Sequence, residues 1–289
     1  MFEMRNLAIL LIIITTFGCQ KSAKTPVEDL PVLASFSAMG CGPYGVEYFE
    51  QIEKFIKKEK SAKGSLFAVH VGDIVGGKQR SISKAYYEKI SELFKKYPVP
   101  FFFVPGDNEW NDLKNPEKGW KKWNKYYLNF FKSFKPSWTV KTQAIREENW
   151  SFKIGKVLFL GFNLVGGRIH DPKEWHGRHI DNVKWLNENL PSSQDDTKAA
   201  VMFFQTALRG EHSIFTKGLR KFARKYKKPI LLVHADKHKW IHDRPLPEKN
   251  IIRIQMDKLG PYPPIQVSVL DTDNPSLAFK VDRRLKWLK

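Results

Sequence analysis

Cysteine is almost missing from this chain: 289 residues contain only Cys19 and Cys41. Cys19 belongs to a leader-like segment, so the folded part keeps one thiol, holds no internal disulfide and must take its stability from a buried core. Acidic residues are short as well, 30 against 49 Lys and Arg, which leaves a net charge of +19. That balance attracts anions and raises their encounter rate with the domain. Long apolar runs are absent too. The core of the leader, Leu7–Phe17 (LAILLIIITTF), is too short to cross a bilayer. No repeat or low-complexity stretch interrupts the remainder, about 260 residues, which suffices for one α/β domain.

The leader has the parts of an export signal. Arg5 supplies a positive start, Leu7–Phe17 an apolar centre, and Gly18-Cys19 follows. This order resembles a bacterial lipoprotein signal, which implies that Cys19 becomes the lipidated first residue; an ordinary cleaved signal peptide is the alternative. The expected organisation is a signal over 1–18, a tether over 19–31 and a domain over 32–289. The implied location is the cell envelope, with the protein exported and anchored to a membrane through Cys19.

Apolar strands alternate with polar helical stretches through the domain. Period-two and short apolar runs predict strands near Val32–Phe36, Leu66–Val71, Phe101–Val104, Ser151–Lys153, Val157–Asn163, Val201–Phe204, Ile230–His234, Ile251–Gln255, Gln266–Leu270 and Leu277–Val281. Helical spacing predicts Val46–Lys58, Ile82–Lys96, Trp120–Phe134, Asp181–Asn189 and Ile214–Tyr226. The fold class is α/β, a layered sandwich with helices outside and sheets within.

Two of the strands end alike. Phe67–Gly77 (FAVHVGDIVGG) and Phe101–Asp112 (FFFVPGDNEWND) each run into Gly-Asp, and Pro229–His238 (PILLVHADKH) ends in Asp236 and His238. A strand that stops at Gly-Asp delivers a carboxylate to a sheet edge, where Asp73, Asp107 and Asp236 can meet. Oxygen donors with one imidazole suit a divalent cation and phosphate chemistry. The plainer reading is that the aspartates only cap turns.

These blocks resemble, in order and spacing, the calcineurin-like metallophosphoesterases, and Val104–Trp110 (VPGDNEW) is similar to a purple-acid-phosphatase-like branch of them. The resemblance covers about Pro31 to Leu246 and implies two central β-sheets flanked by helices. It places Asp73 at the carboxylate shared by two metals, Asp107 at a ligand Asn, Asn108 at the transition-state His, Asp236 and His238 in the last block, and Gln205 at a lone ligand His. The first block is lost, since Ala38 and Gly40 stand where an Asp and a His belong. One metal position therefore keeps Asp73, Asp107, Gln205 and Asp236, and the other only Asp73 and His238. A single divalent ion is expected, manganese, magnesium or calcium in preference to zinc or iron. Restoring the block with Ala38→Asp and Gly40→His is expected to raise the rate.

In catalysis Asn108 would donate to the transition-state oxygen without proton transfer, His238 would assist at the oxyanion or leaving group, and Arg168, beside Asn163 in a family-like Asn-x-Val-Gly segment, would grip phosphate with its fork. Glu109 could add a carboxylate beside the metal. His170, Glu174, Trp175, His176, Arg178 and His179 are expected in a polar lid loop, with His212 a spare imidazole if its loop folds inward. The expected partner is an anionic phosphate-bearing substrate or ligand. Nucleic acid is disfavoured, because Trp123, Tyr127, Phe130, Phe131 and Phe134 fall at helical spacing and read as a buried stripe. Three functions stay open: a metal-dependent phosphoesterase, a degenerate member that binds a phosphate or anionic glycan without hydrolysing it, and an envelope scaffold.

Overall fold

Alternate residues of the central strands enter different cores, which is why their apolar runs are continuous. The computed structural model describes residues 30–77, 83–192 and 194–289. The signal over 1–18, Cys19, most of the tether and the expected helix start at Ile82 lie outside those residues.

Within Pro31–Lys289, which clusters as one unit, β1 (Val32–Met39), β2 (Ala68–His70), β3 (Phe101–Phe103), β11 (Ile265–Leu270) and β12 (Phe279–Asp282) form a sheet in the order β12-β11-β1-β2-β3. The second sheet takes the order β4-β5-β6-β7-β8-β10-β9. It comprises β4 (Lys141–Gln143), β5 (Arg146–Ile154), β6 (Val157–Gly161), β7 (Ala199–Phe203), β8 (Ile230–His234), β9 (Ile241–Asp243) and β10 (Ile251–Gln255). Val157, Phe159, Val201, Phe203, Leu231 and Val233 face Phe36, Phe67 and Phe102 of the first sheet across a shared core. Their neighbours Leu158, Leu160, Ala200, Met202, Ile230 and Leu232 pack on the opposite side with Phe215, Leu219 and Phe222 of α5 (Ser213–Tyr226) and Trp185 and Leu186 of α4 (Pro172–Glu188). The outer face of the first sheet is covered by α1 (Phe49–Ala62), α2 (Lys84–Lys95) and α3 (Pro116–Tyr127). The result is the expected layered α/β sandwich of two sheets flanked by helices.

Three local expectations need correcting. The segment around His170–His179 is no loop: Asp171 caps the backbone N–H groups of Lys173 and Glu174, Pro172 opens the first turn, and α4 runs on from there. The aromatic stripe is also divided. α3 stops at Tyr127, Asn129 takes a left-handed turn, and Phe131 leaves Trp123, Tyr127 and Phe130 to join the core between the sheets. The short edge strands β4 and β9 carry Lys141, His242 and Asp243, too polar to announce themselves.

Strands β1, β2 and β3 run parallel, as do β6, β7, β8 and β10. Their C-terminal ends therefore gather on one edge. Just inside it His70 is fully buried, with its Nε2 2.6 Å from the carbonyl oxygen of Gly42. Burial lowers its pKa to about 4, against the upward pull of that bond. A depressed folded pKa means fewer protons bound in the folded state, so stability present above about pH 6.5 is lost as pH falls toward 4, on the order of 3 kcal/mol. His70→Gln keeps a donor for Gly42 and should flatten this part of the stability profile in urea melts at stepped pH. An unchanged acid slope would contradict the assignment.

Candidate metal and phosphate site

Glycine at positions 72 and 106 lets two strand-end loops approach more closely than side chains would permit. Gly72 has φ +83°, and a Cβ there would lie 2.5 Å from the nitrogen of Gly106; one on Gly106 would fall on the backbone of Asp73. The repeated Gly-Asp thus serves a backbone contact as well as a turn. Glu109 locks it: its Oε1 accepts the N–H groups of both Asp73 (3.0 Å) and Gly106 (2.9 Å). Residues 107–111 form one wide turn closed by Asp112 N–H to the carbonyl of Asp107.

Asp73 and Asp107 meet at the floor, 3% and 7% exposed, with their carboxyl groups in hydrogen-bond contact. Burial, together with the neighbouring acid, pushes both pKa values up: Glu109 acts on Asp73, and Asp73 acts on Asp107. Glu109 itself is raised to about 8, first by burial. One proton shared by two like-charged groups is the consequence. Asp73 Oδ1 accepts the Asn108 N–H at 3.3 Å, and its Oδ2 accepts the Cys41 thiol at 3.6 Å and the Gln205 amide at 2.9 Å. Cys41, Asp73, Asp236 and His238 all hold left-handed backbone, a concentration of strain that marks functional loops.

Gln205 turns its nitrogen toward the carboxyls. Its Oε1 accepts the Gly166 N–H at 2.8 Å, which leaves Nε2 for Asp73 and, at 3.5 Å, Asp107. The amide oxygen expected at a metal is thus engaged elsewhere. Asp236 is paired with Arg209 at 2.6 Å, and His238 Nε2 lies 2.7 Å from the Tyr44 hydroxyl. Burial and then Lys258 lower the His238 pKa, so the ring is neutral near pH 7, a hydrogen-bond partner and not a cation. Arg168 donates through its guanidinium to the Leu113 carbonyl on the rim. Asn163 is buried in a network with Glu148, Arg178 and Asn182. His212 pairs with His179 at 2.9 Å and stacks on Trp175, so the spare imidazole belongs to the packing of α4.

Neither replacement in the lost first block could be undone. Ala38 is fully buried in the core between the sheets, and a Cβ on Gly40 would lie 2.6 Å from Val71 and 2.9 Å from Ala235. Ala38→Asp and Gly40→His would crowd and charge that core, contrary to the expected gain. The residues that sequence reasoning overlooked, Tyr44, Cys41 and Arg209, carry no family signature. Tyr44 follows the lost block closely, and Arg209 shares the loop of Gln205.

Residues 39–262 match the calcineurin-like phosphoesterase family, and the chain belongs to it. Its fold is similar to that of a dimetal phosphatase from Danio rerio, at 10% identity over 83% of this chain and 94% of that one, with a TM-score of 0.56. A 5'-nucleotidase from Candida albicans is similar at 15% identity over 86% of this chain and 51% of that one, with a TM-score of 0.54, so this chain spans about half of that enzyme. GAP50, the anchor in the inner membrane complex of Plasmodium, is similar at 8% identity over 86% of this chain and 88% of that one, with a TM-score of 0.51. At these identities the likeness is one of fold. No curated protein matches.

The family implies divalent metal use, and the donors here fit it in part. Among the described residues no group of three or more His, Cys, Asp or Glu is arranged to hold an ion. Asp236 is bound to a cationic side chain, whereas Asp73 and Asp107, among the described residues, present their carboxyl oxygens to neutral donors. Two carboxylates suit one hard cation that completes its shell with water and phosphoryl oxygens, the habit of magnesium, and do not make a zinc site or a two-metal centre.

Proposed function

We propose that this chain is an exported phosphoesterase that hydrolyses a phosphate ester with one hard divalent cation, manganese or magnesium, held by Asp73 and Asp107. The observation that supports it is the meeting of two buried strand-end carboxyls whose protons are held mainly by burial, a place where a cation can take the proton's role. The bound cation supplies Lewis acidity and a water of lowered pKa. Glu109 fixes the two loops that carry the carboxyls, and the Asn108 amide, at the partly exposed mouth, donates to a phosphoryl oxygen without transferring a proton. Neutral His238, set by Tyr44, donates a hydrogen bond to the leaving oxygen. No strong general acid stands in this set, so activated esters are the favoured substrates.

Manganese-dependent release of the phenol from an aryl phosphate tests the reading. Gln205 motivates a rival, because its amide already contacts both carboxyls: a protein that binds an anionic phosphate or glycan and leaves it intact. Phosphate binding without turnover would favour that rival. The reading also includes anchorage through a lipidated Cys19. Cys19→Ser should move the protein from the membrane fraction to the soluble one, and unchanged fractionation would sink the lipid anchor.

A further inference from the structure

One loop after β7 sends donors to three carboxyls of the site, Asp73, Asp107 and Asp236. Gln205 serves Asp73 and Asp107, and Arg209, four residues on, places Nη2 2.6 Å from Asp236 Oδ2. The Arg209 side chain is 41% exposed, and Asp236 only 14%. Asp236 sits on the same strand-end turn as exposed His238. A guanidinium is therefore fixed at the mouth of an acidic floor by a carboxylate that leads back into the fold.

We propose that Arg209 is the phosphate-binding residue of this site, with inorganic phosphate and phosphate monoesters as the ligand class. The inference takes its ligand class from the phosphoesterase reading. Three other cations or imidazoles near the opening are less suited. Arg168 is bound to the Leu113 carbonyl, Lys258 lies over the rings of Tyr44 and Tyr48 at 4.7 and 5.1 Å, and His238 is engaged by the Tyr44 hydroxyl. Among the described residues Asp236 is the one acceptor on the Arg209 fork, which has five donors and matches two phosphoryl oxygens. The ion pair with Asp236 holds the fork in place before the ligand arrives, which reduces the ordering cost of binding. It also supplies positive charge beside Asp236 at the mouth of the site. Arg209 thus offsets the repulsion between an incoming dianion and the floor carboxylates.

Titration of the purified protein with inorganic phosphate, with and without manganese, tests this. Arg209→Gln should weaken phosphate binding by about tenfold or more, and Arg209→Lys should recover part of the loss as a point charge. Asp236→Asn removes the same ion pair but keeps the guanidinium, so phosphate affinity should fall by clearly less than in Arg209→Gln, the loss being only the ordering that the pair supplied. Manganese content should be equal in parent and Arg209→Gln, because Asp73 and Asp107 are untouched. Parent-like phosphate affinity in Arg209→Gln would overturn the proposal. So would a loss in Asp236→Asn as large as that in Arg209→Gln, since the pair would then be structural. A parent that binds phosphate through Arg209 and turns over no aryl phosphate would sink the enzyme reading and leave this one standing. A parent that binds no phosphate would overturn both.

Discussion

Asp73→Asn should lower manganese-dependent hydrolysis of an activated aryl phosphate by about a hundredfold or more and remove manganese binding, the scale of a lost Lewis-acid contribution of several kcal/mol. The substitution keeps shape and backbone. Asp73 holds a left-handed φ of 58°, which Asn tolerates better than most residues, and an amide oxygen can still accept from Asn108 N–H. What disappears is one of two charges at the meeting point with Asp107. Thermal stability should fall modestly, because the amide nitrogen that takes the place of Oδ2 leaves the Gln205 amide and the Cys41 thiol without their acceptor. Equal trace rates in parent and variant, with phosphate binding intact, would favour the binding-only alternative.

Glu109→Ala should cost about 2–4 kcal/mol of stability and weaken manganese binding, because the N–H groups of Asp73 and Gly106 lose their common acceptor inside the fold. Glu109→Gln should behave differently. With a pKa raised to about 8, the carboxyl is largely protonated near neutral pH and already resembles an amide, and its Oε2 has no partner among the described residues. Gln keeps the accepting oxygen and should restore most of the stability and the metal affinity. A Gln variant as damaged as the Ala variant would mean that Glu109 acts through its charge, as a ligand or base, and not as the clasp between two loops.

The doubly apolar strands were readable because both of their faces are buried, so β8 and β10 emerge with the expected bounds Ile230–His234 and Ile251–Gln255. Edge strands β4 and β9 were not, since half-exposed residues there need no apolar pattern. The meeting of Asp73 with Asp107 could be anticipated from Gly-Asp at two strand ends. Sequence could not say which way Gln205 turns its amide. That depends on the N–H of Gly166, which arrives from a different strand end. Asp236 shows the same limit: its partner Arg209 lies 27 positions away on a loop with no signature of its own. The second half of α4 matches the helix expected over Asp181–Asn189, while its first half, signalled by Asp171-Pro172 as a cap followed by proline, is obscured by the polar, His-rich sequence that follows.

The central claim is that the lost first block leaves room for one cation, held by Asp73 and Asp107. Elemental analysis of the purified protein after equilibration with manganese and removal of the excess tests it most directly. The account predicts one manganese per chain in the parent and none in Asp73→Asn. Two tightly held ions per chain, or one that survives Asp73→Asn, would contradict it.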